Sequence, residues 1–332
     1  MSQLALDLSG GIRRTKELRY YQREFVDACE AAWGRGSRKL LSVLPTGGGK
    51  TLTAGELIAR VIEGGGRVLF LAHLRKLVKQ GRESIHGGYN IDGGLEFGGR
   101  KSNGESAVFA TCQTIDQHIK KNSTRFGRHD FDLVVIDECH RTGSPVYKRI
   151  MRYFQGRVLG ITATPRRSDQ VDLMTIFDEM AYDIPISRLI SEGYLCDLII
   201  KTFPVAIDVN SVRTKAGDFD TSDLGHAIEP YLESCAKELL NYKGRKMLVF
   251  LPLIATSKLF LNYCNRAGLK FRHVDGFTPE GTLEGVISQL RRGEIDGICN
   301  SMLLTEGVDI PEVDLLMNLR LTKSWGLYTQ IM

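Results

Sequence analysis

The sequence predicts an α/β protein of two tandem domains, each a doubly wound parallel sheet. Three observations predict it. Apolar runs of four or five residues recur, apolar at nearly every position, which is how strands buried on both faces of a parallel sheet read. Longer stretches of helical periodicity separate them, and strands alternating with helices build a doubly wound sheet. The alternation lapses once, over a polar stretch at 205–227, and 332 residues suffice for two domains at roughly 100–200 residues each.

In chain order, strands are expected at 40–44, 68–72, 107–111, 133–136 and 158–162, with helices such as 52–62 and 76–85 between them. Gly64-Gly65-Gly66 suits a helix C-terminus, where φ > 0 is needed. Beyond the polar stretch come a helix at 231–242, a strand at 247–251, a helix at 254–267, a strand at 271–274, a helix at 281–291, and strands at 297–300 and 314–318. The expected organisation is a tail at 1–15, a first domain at 16–204, a linker at 205–227 and a second domain at 228–332.

Composition narrows the classes. With 42% hydrophobic and 25% charged residues, the chain is not largely disordered. No apolar run approaches the ~20 residues of a membrane span. The start, MSQLALDLSGG, lacks a secretory signal's basic and apolar regions. A cytoplasmic protein without membrane contact is expected. Residues 1–200 carry 29 Lys and Arg against 23 Asp and Glu, a balance compatible with a polyanionic partner. The seven cysteines include no CxxC pair, so neither a disulfide framework nor a thiolate zinc site is indicated.

Two strings carry chemistry. After the first strand comes Pro45-Thr46-Gly47-Gly48-Gly49-Lys50-Thr51, then a helix. Glycines let backbone N–H groups wrap phosphate oxygens, and the helix N-terminus adds partial positive charge. Lys50 can reach β- and γ-phosphates, and the Thr51 hydroxyl can ligate Mg²⁺. Leu44 stands where the generic GxxxxGK[ST] pattern begins with glycine. Further on, a buried strand ends in Asp137-Glu138-Cys139-His140. Carboxylates at a strand's C-terminal end sit where α/β sheets bind ligands. Asp137 can hold Mg²⁺, and Glu138 can orient or deprotonate the water that attacks the γ-phosphate.

Together these strings resemble the superfamily 2 helicases of the DEAD/DEAH-like branch that includes restriction-enzyme motor subunits. The resemblance covers about residues 16–332. Leu18-Arg19-Tyr20-Tyr21-Gln22 looks like the adenine-reading segment, with Tyr20 where the family usually has Pro. The family's phosphate loop itself often lacks the first glycine. Leu71-Ala72-His73 with 74–80, and Ala110-Thr111-Cys112-Gln113-Thr114, resemble its two nucleic-acid-contacting segments. Gly160-Ile161-Thr162-Ala163-Thr164-Pro165 resembles the segment that couples hydrolysis to domain motion. Leu304-Thr305-Glu306-Gly307-Val308-Asp309-Ile310-Pro311 resembles the one facing both ATP and the strand.

The resemblance implies two RecA-like domains with ATP·Mg²⁺ between them and nucleic acid across both, gripped by its backbone without regard to sequence, DNA favoured over RNA. It implies ATP contacts from Arg19, Gln22, Thr46, Gly47, Gly48, Gly49, Lys50, Thr51, Gly307 and Asp309, and Mg²⁺ held by Thr51 and Asp137. It implies catalysis by Lys50, Asp137 and Glu138, and coupling through His140, Thr162 and Thr164. Nucleic-acid contacts fall to His73, Arg75, Thr111, Gln113 and Thr305. The family's last motif reads Q-x-x-G-R-x-x-R, and this sequence stops at Gln330-Ile331-Met332. The second domain is therefore expected to be incomplete at its C-terminus, with the arginines supplied by a further segment or a partner chain. The alternative is a clamp that binds ATP and nucleic acid with little turnover. The basic runs Lys120, Lys121, Arg125, Arg128 and Arg141, Lys148, Arg149, Arg152 read as solvated faces with phosphate contact as the alternative. Trp33 and Trp325 read as packing residues.

Overall fold

The computed structural model describes residues 12–141, 144–164, 173–203, 207–215, 217–301, 304, 310–324 and 327–328. The chain divides into two compact units, 1–198 and 199–332.

The first unit is a seven-stranded sheet made of β1 (Lys39–Val43), β2 (Val68–Ala72), β3 (Gly93–Glu96), β4 (Ala107–Thr111), β5 (Leu133–Asp137), β6 (Arg157–Thr162) and β7 (Glu179–Asp183). All neighbours pair in parallel, in the order β3-β4-β2-β5-β6-β1-β7. Its helices are α1 (Tyr20–Gly34), α2 (Lys50–Glu63), α3 (Arg75–Tyr89), α4 (Cys112–Lys120), α5 (Pro145–Tyr153) and α6 (Ile186–Ser191). The five expected strands are present within a residue of their expected ends.

Strand alternation divides the interior in two. Leu40, Phe70, Phe109, Val135 and Leu159 face the side covered by α1, α2 and α3. Leu41, Leu69, Val108, Val134 and Val158 face the side covered by α4 and α5. Both faces of each central strand are thus buried, which is why these segments read as unbroken apolar runs. The two edge strands lack that signature. β3 is Gly93-Gly94-Leu95-Glu96, and β7 is only partly buried, so neither needed the apolar run that would have announced it.

The second unit is a four-stranded parallel sheet, β11-β12-β10-β13 in order. Its strands are β10 (Met247–Phe250), β11 (Phe271–Val274), β12 (Gly297–Asn300) and β13 (Leu315–Asn318). Preceding them, β8 (Thr214–Lys215) and β9 (Asp218–Phe219) form a small hairpin, followed by α7 (Thr221–Ile228). Asp220 caps α7 by accepting from the Ser222 and Asp223 amides, and Leu224 and Ile228 are buried. The hairpin reaches the far end of the unit: Asp218 accepts from the Thr322 hydroxyl at 2.8 Å and the Lys323 amide at 2.7 Å. The helix expected at 231–242 is α-helical only over α8 (Leu232–Glu238), with 3₁₀ turns at Glu229–Tyr231, which contains Pro230, and at Leu239–Tyr242. α9 (Ile254–Arg266) and α10 (Glu280–Arg291) cover opposite sheet faces. Among the described residues, no helix is long and apolar enough to cross a membrane.

Phe109 is fully buried, its ring 5.4 Å from that of Phe70 and packed against Gly93. Phe109→Ala should therefore cost about 3–5 kcal/mol. In urea titrations followed by circular dichroism, the first unit should unfold at a lower midpoint than in the wild type.

Candidate functional site

The strand order places β1, β6 and β5 side by side, with the chain's crossovers reversing direction around them. Such a reversal, at the C-terminal edge of a parallel sheet, opens a crevice. Three loops meet there. Thr46–Lys50 follows β1, Asp137-Glu138 closes β5, and Thr162-Ala163-Thr164 closes β6. Leu44 directly follows β1 and adds one more hydrogen bond to β6, donating its amide to the Thr162 carbonyl at 3.0 Å, and its side chain is fully buried. A glycine has no conformational task at that position, which explains the departure from the generic pattern.

Glycine is required further along. Gly47 and Gly49 have φ of +79° and +86°. At Gly49 a Cβ would also lie 2.5 Å from Gln22 Nε2, and at Gly47 it would lie 2.8 Å from Leu195 Cδ2. Gly49 caps α2, so Lys50 and Thr51 open the helix with the unpaired amides of its first turn. The loop is braced from α1: the Gly48 carbonyl accepts from Gln22 Nε2 at 2.9 Å and from the Tyr21 hydroxyl at 3.1 Å. Gln22 Oε1 accepts from the Arg19 amide at 2.9 Å. Both ends of this buried amide are thus engaged within the protein, and Gln22 braces the phosphate loop directly.

Opposite the loop, Lys50 Nζ stands 3.8 Å from Glu138 Oε1. Glu138 has a φ of +49°, a strained conformation for a residue with a side chain. Its amide donates to Asp137 Oδ1 at 3.0 Å, and its Oε2 lies 3.3 Å from His140 Nδ1. The same His140 nitrogen is 3.2 Å from the Thr162 hydroxyl. That hydroxyl donates to the Thr164 carbonyl at 3.0 Å and accepts from the Thr164 amide at 3.1 Å. The three expected coupling residues therefore form one hydrogen-bonded chain running from the carboxylates to the end of β6. Burial, and then the Glu138 charge, push the Asp137 carboxyl up to about 6, with Lys50 opposing the shift.

A second feature of the first unit is an open groove of about 870 Å³ at the ends of β2, β3 and β4. His73, Arg75, Thr111 and Gln113 all line it. Residues the sequence analysis did not single out join them: Gly98, Gly99, Arg100 and Lys101 in the turn after β3. The Arg75 guanidinium lies against Gly98, whose φ of +56° and lack of a side chain allow the contact. Beneath the turn, the buried Glu96 carboxylate is neutralised by Arg125 at 2.5 Å and accepts from the Ser102 amide at 2.8 Å. The sequence signal for this turn is the Gly98-Gly99 pair followed by two cations, with no apolar run before it to mark a strand.

The basic runs divide in space. Lys121 reaches the groove, while Lys120 pairs with Asp116, Arg125 pairs with Glu96, and Arg128 lies over the Tyr153 ring. Arg149 pairs with Asp116, whereas Lys148 and Arg152 line a smaller pocket of about 290 Å³. Trp33 packs on the core beneath Arg157. Thr305, Gly307, Asp309, Gln330 and Trp325 lie outside the described residues.

This chain is similar to known proteins over most of its length. The family described as "Type III restriction enzyme, res subunit" matches residues 15–167, and "Helicase conserved C-terminal domain" matches residues 231–332. The "Putative ATP-dependent helicase IRC3" of Saccharomyces cerevisiae is 26% identical over 337 residues, 95% of this chain and 48% of its own. The "DNA 3'-5' helicase XPB" of Mycobacterium tuberculosis is 26% identical over 89% of this chain and 53% of its own. The endonuclease subunit of the type I restriction enzyme EcoAI of Escherichia coli is 28% identical over 62% of this chain and 26% of its own. This chain spans about half the length of the first two relatives. Among solved structures, the Hef helicase domain of Pyrococcus furiosus aligns with a TM-score of 0.54 at 18% identity, covering 92% of this chain and 90% of that one. The DNA-bound Type ISP restriction-modification enzyme LlaBIII aligns at 0.67 and 18%, covering 96% of this chain and 26% of that one. These two likenesses are likenesses of fold.

The Asp137 shift has a consequence for stability. The folded value of about 6 exceeds the ordinary 3.8, so the folded protein holds this proton more tightly than the unfolded chain. That stabilisation is full below about pH 4 and is lost as pH rises through about 6. Asp137→Asn keeps the acceptor and removes the charge. It should stabilise the nucleotide-free protein more at pH 8 than at pH 4. Thermal melts at the two pH values check the difference.

Proposed function

The chain belongs to the superfamily 2 helicases, and from that premise we propose that it is an ATP-dependent helicase or translocase acting on DNA. The observation that carries the reading is the convergence of a glycine-rich loop and Lys50 on Asp137 and Glu138 at adjoining strand ends. The backbone N–H groups of 46–51 cradle the ATP phosphates at the start of α2. Lys50, which here pairs with Glu138, transfers to the β- and γ-phosphates when they arrive. That exchange leaves Glu138 beside His140, ready to orient and deprotonate the attacking water.

The Thr51 hydroxyl and Asp137 carboxylate are hard oxygen donors that fit Mg²⁺, and a cation there offsets the burial and like-charge repulsion that oppose ionisation of Asp137. When bound, Mg²⁺ neutralises charge on the β- and γ-phosphates. His140, Thr162 and Thr164 relay the state of the acidic pair to the end of β6.

The groove holding His73, Arg75, Thr111 and Gln113 is the proposed nucleic-acid track. Its cations, hydroxyls and amides suit phosphates, and Phe97, which also lines it, is buried. Recognition is accordingly directed at the backbone and neutral to sequence. The name of the XPB relative, a DNA 3'-5' helicase, supports DNA over RNA. Thr305, Gly307 and Asp309 are proposed to complete the ATP and strand contacts on the resemblance alone.

ATP hydrolysis by the chain should be stimulated by DNA and fall at least about 100-fold in Lys50→Ala and in Glu138→Gln. ATP binding with no turnover under any DNA condition would instead make the chain a nucleotide-dependent clamp. Arg75→Ala and Arg100→Ala should each weaken DNA binding alike on unrelated sequences and lower the slope of log affinity against log salt by about 1. Fluorescence anisotropy at several salt concentrations, with DNA and RNA of one sequence, measures both the effect and the preference.

A further inference from the structure

The segment that follows α6 is far in sequence from the phosphate loop, yet it is built against it. Gly193, with φ of +76°, ends the helix, and the Tyr194 and Leu195 amides both donate to the Leu189 carbonyl, at 2.8 and 3.0 Å. Leu189 is fully buried, so these two residues are fixed in place. Leu195 rests on Gly47 of the phosphate loop. The Tyr194 ring packs 5.1 Å from that of Tyr21, whose hydroxyl donates to Gly48, and 5.9 Å from that of Tyr20.

Arg19 completes the arrangement. Its guanidinium lies over the Tyr194 ring, 5.1 Å from the centroid, and donates to the Tyr21 hydroxyl at 3.0 Å. Among the described residues no carboxylate pairs with it, and the side chain is exposed. A planar guanidinium with a ring on one side and solvent on the other offers a cationic surface. Purine rings stack on such surfaces, and this one stands beside the loop that would hold a nucleotide's phosphates.

We propose that Tyr194 is a positioning residue for the nucleotide base: by backing Arg19 it holds the guanidinium flat against a purine ring. The inference rests on the ATP-binding reading above and adds to it a residue from outside the adenine-reading segment. It assigns Tyr194 to base affinity and Gly47–Thr51 to phosphate affinity, two contributions that can be measured separately.

The test uses the full chain, with ADP and inorganic pyrophosphate titrated by calorimetry. Tyr194→Leu keeps apolar contact with Tyr20 and Tyr21 but has no ring, and Tyr194→Phe keeps the ring. Tyr194→Leu should weaken ADP about tenfold and leave pyrophosphate within twofold, while Tyr194→Phe binds ADP as the wild type does. In an Arg19→Gln background, Tyr194→Leu should have almost no further effect, because the residue acts through Arg19. Unchanged ADP affinity in Tyr194→Leu overturns the proposal. So does an equal loss of ADP and pyrophosphate, which would mean that Tyr194 merely supports the phosphate loop. If the wild type binds pyrophosphate but shows no gain for ADP, the base site fails while the phosphate loop stands. If it binds neither, the ATP-binding reading itself fails.

Discussion

Two carboxylates on consecutive residues at the end of a buried strand repel each other, and the ammonium of Lys50 is the cation that faces them. The rest of the site is arranged around that contact. Lys50 can reach Glu138 because β1 and β5 are both neighbours of β6, and their C-terminal ends are level. The left-handed backbone of Glu138 breaks the strand's alternation, and its carboxylate lies between Lys50 and His140. Without a counter-cation the acidic pair would be costly to bury, and Asp137 would take up a proton.

The phosphate loop is shaped from below and from the side. Left-handed glycines set its path, and the Gly48 carbonyl is fixed by two side chains of α1. Gln22 therefore links the start of α1 to the loop conformation, and Arg19 is tied to the same amide. Loop geometry and the placement of Arg19 are consequently parts of one hydrogen-bonded unit, against which Tyr194 and Leu195 pack.

The groove depends on different physics. Its floor is a buried acid, Glu96, made tolerable by Arg125 and the Ser102 amide. That anchor leaves Arg100 and Lys101 exposed on the turn above, beside Arg75. Charge counting along the chain could not have found this: of Lys120, Lys121, Arg125 and Arg128, only Lys121 lines the groove, and two of the others are consumed by carboxylates. A basic run in sequence says little about a basic surface, because a helix or turn aims consecutive side chains in different directions.

The sequence by itself determined the fold class and the central strands, and it set a glycine-rich loop with a lysine and an acidic pair at their ends. These are local properties: a strand buried on both faces must be apolar throughout, and a loop that wraps phosphate needs glycines before a lysine. It also brought His73, Arg75, Thr111 and Gln113 forward as a group, by resemblance. Only the tertiary structure decided which distant residues complete each site. The edge strands β3 and β7 carry no apolar run, so the turn at 97–101 could not be placed. Tyr194 and Leu195 meet the phosphate loop through strand order and helix packing, which no local pattern encodes. The reason is common to both cases. Periodicity records which side of an element is buried, but which elements become neighbours is fixed by the packing of the whole sheet.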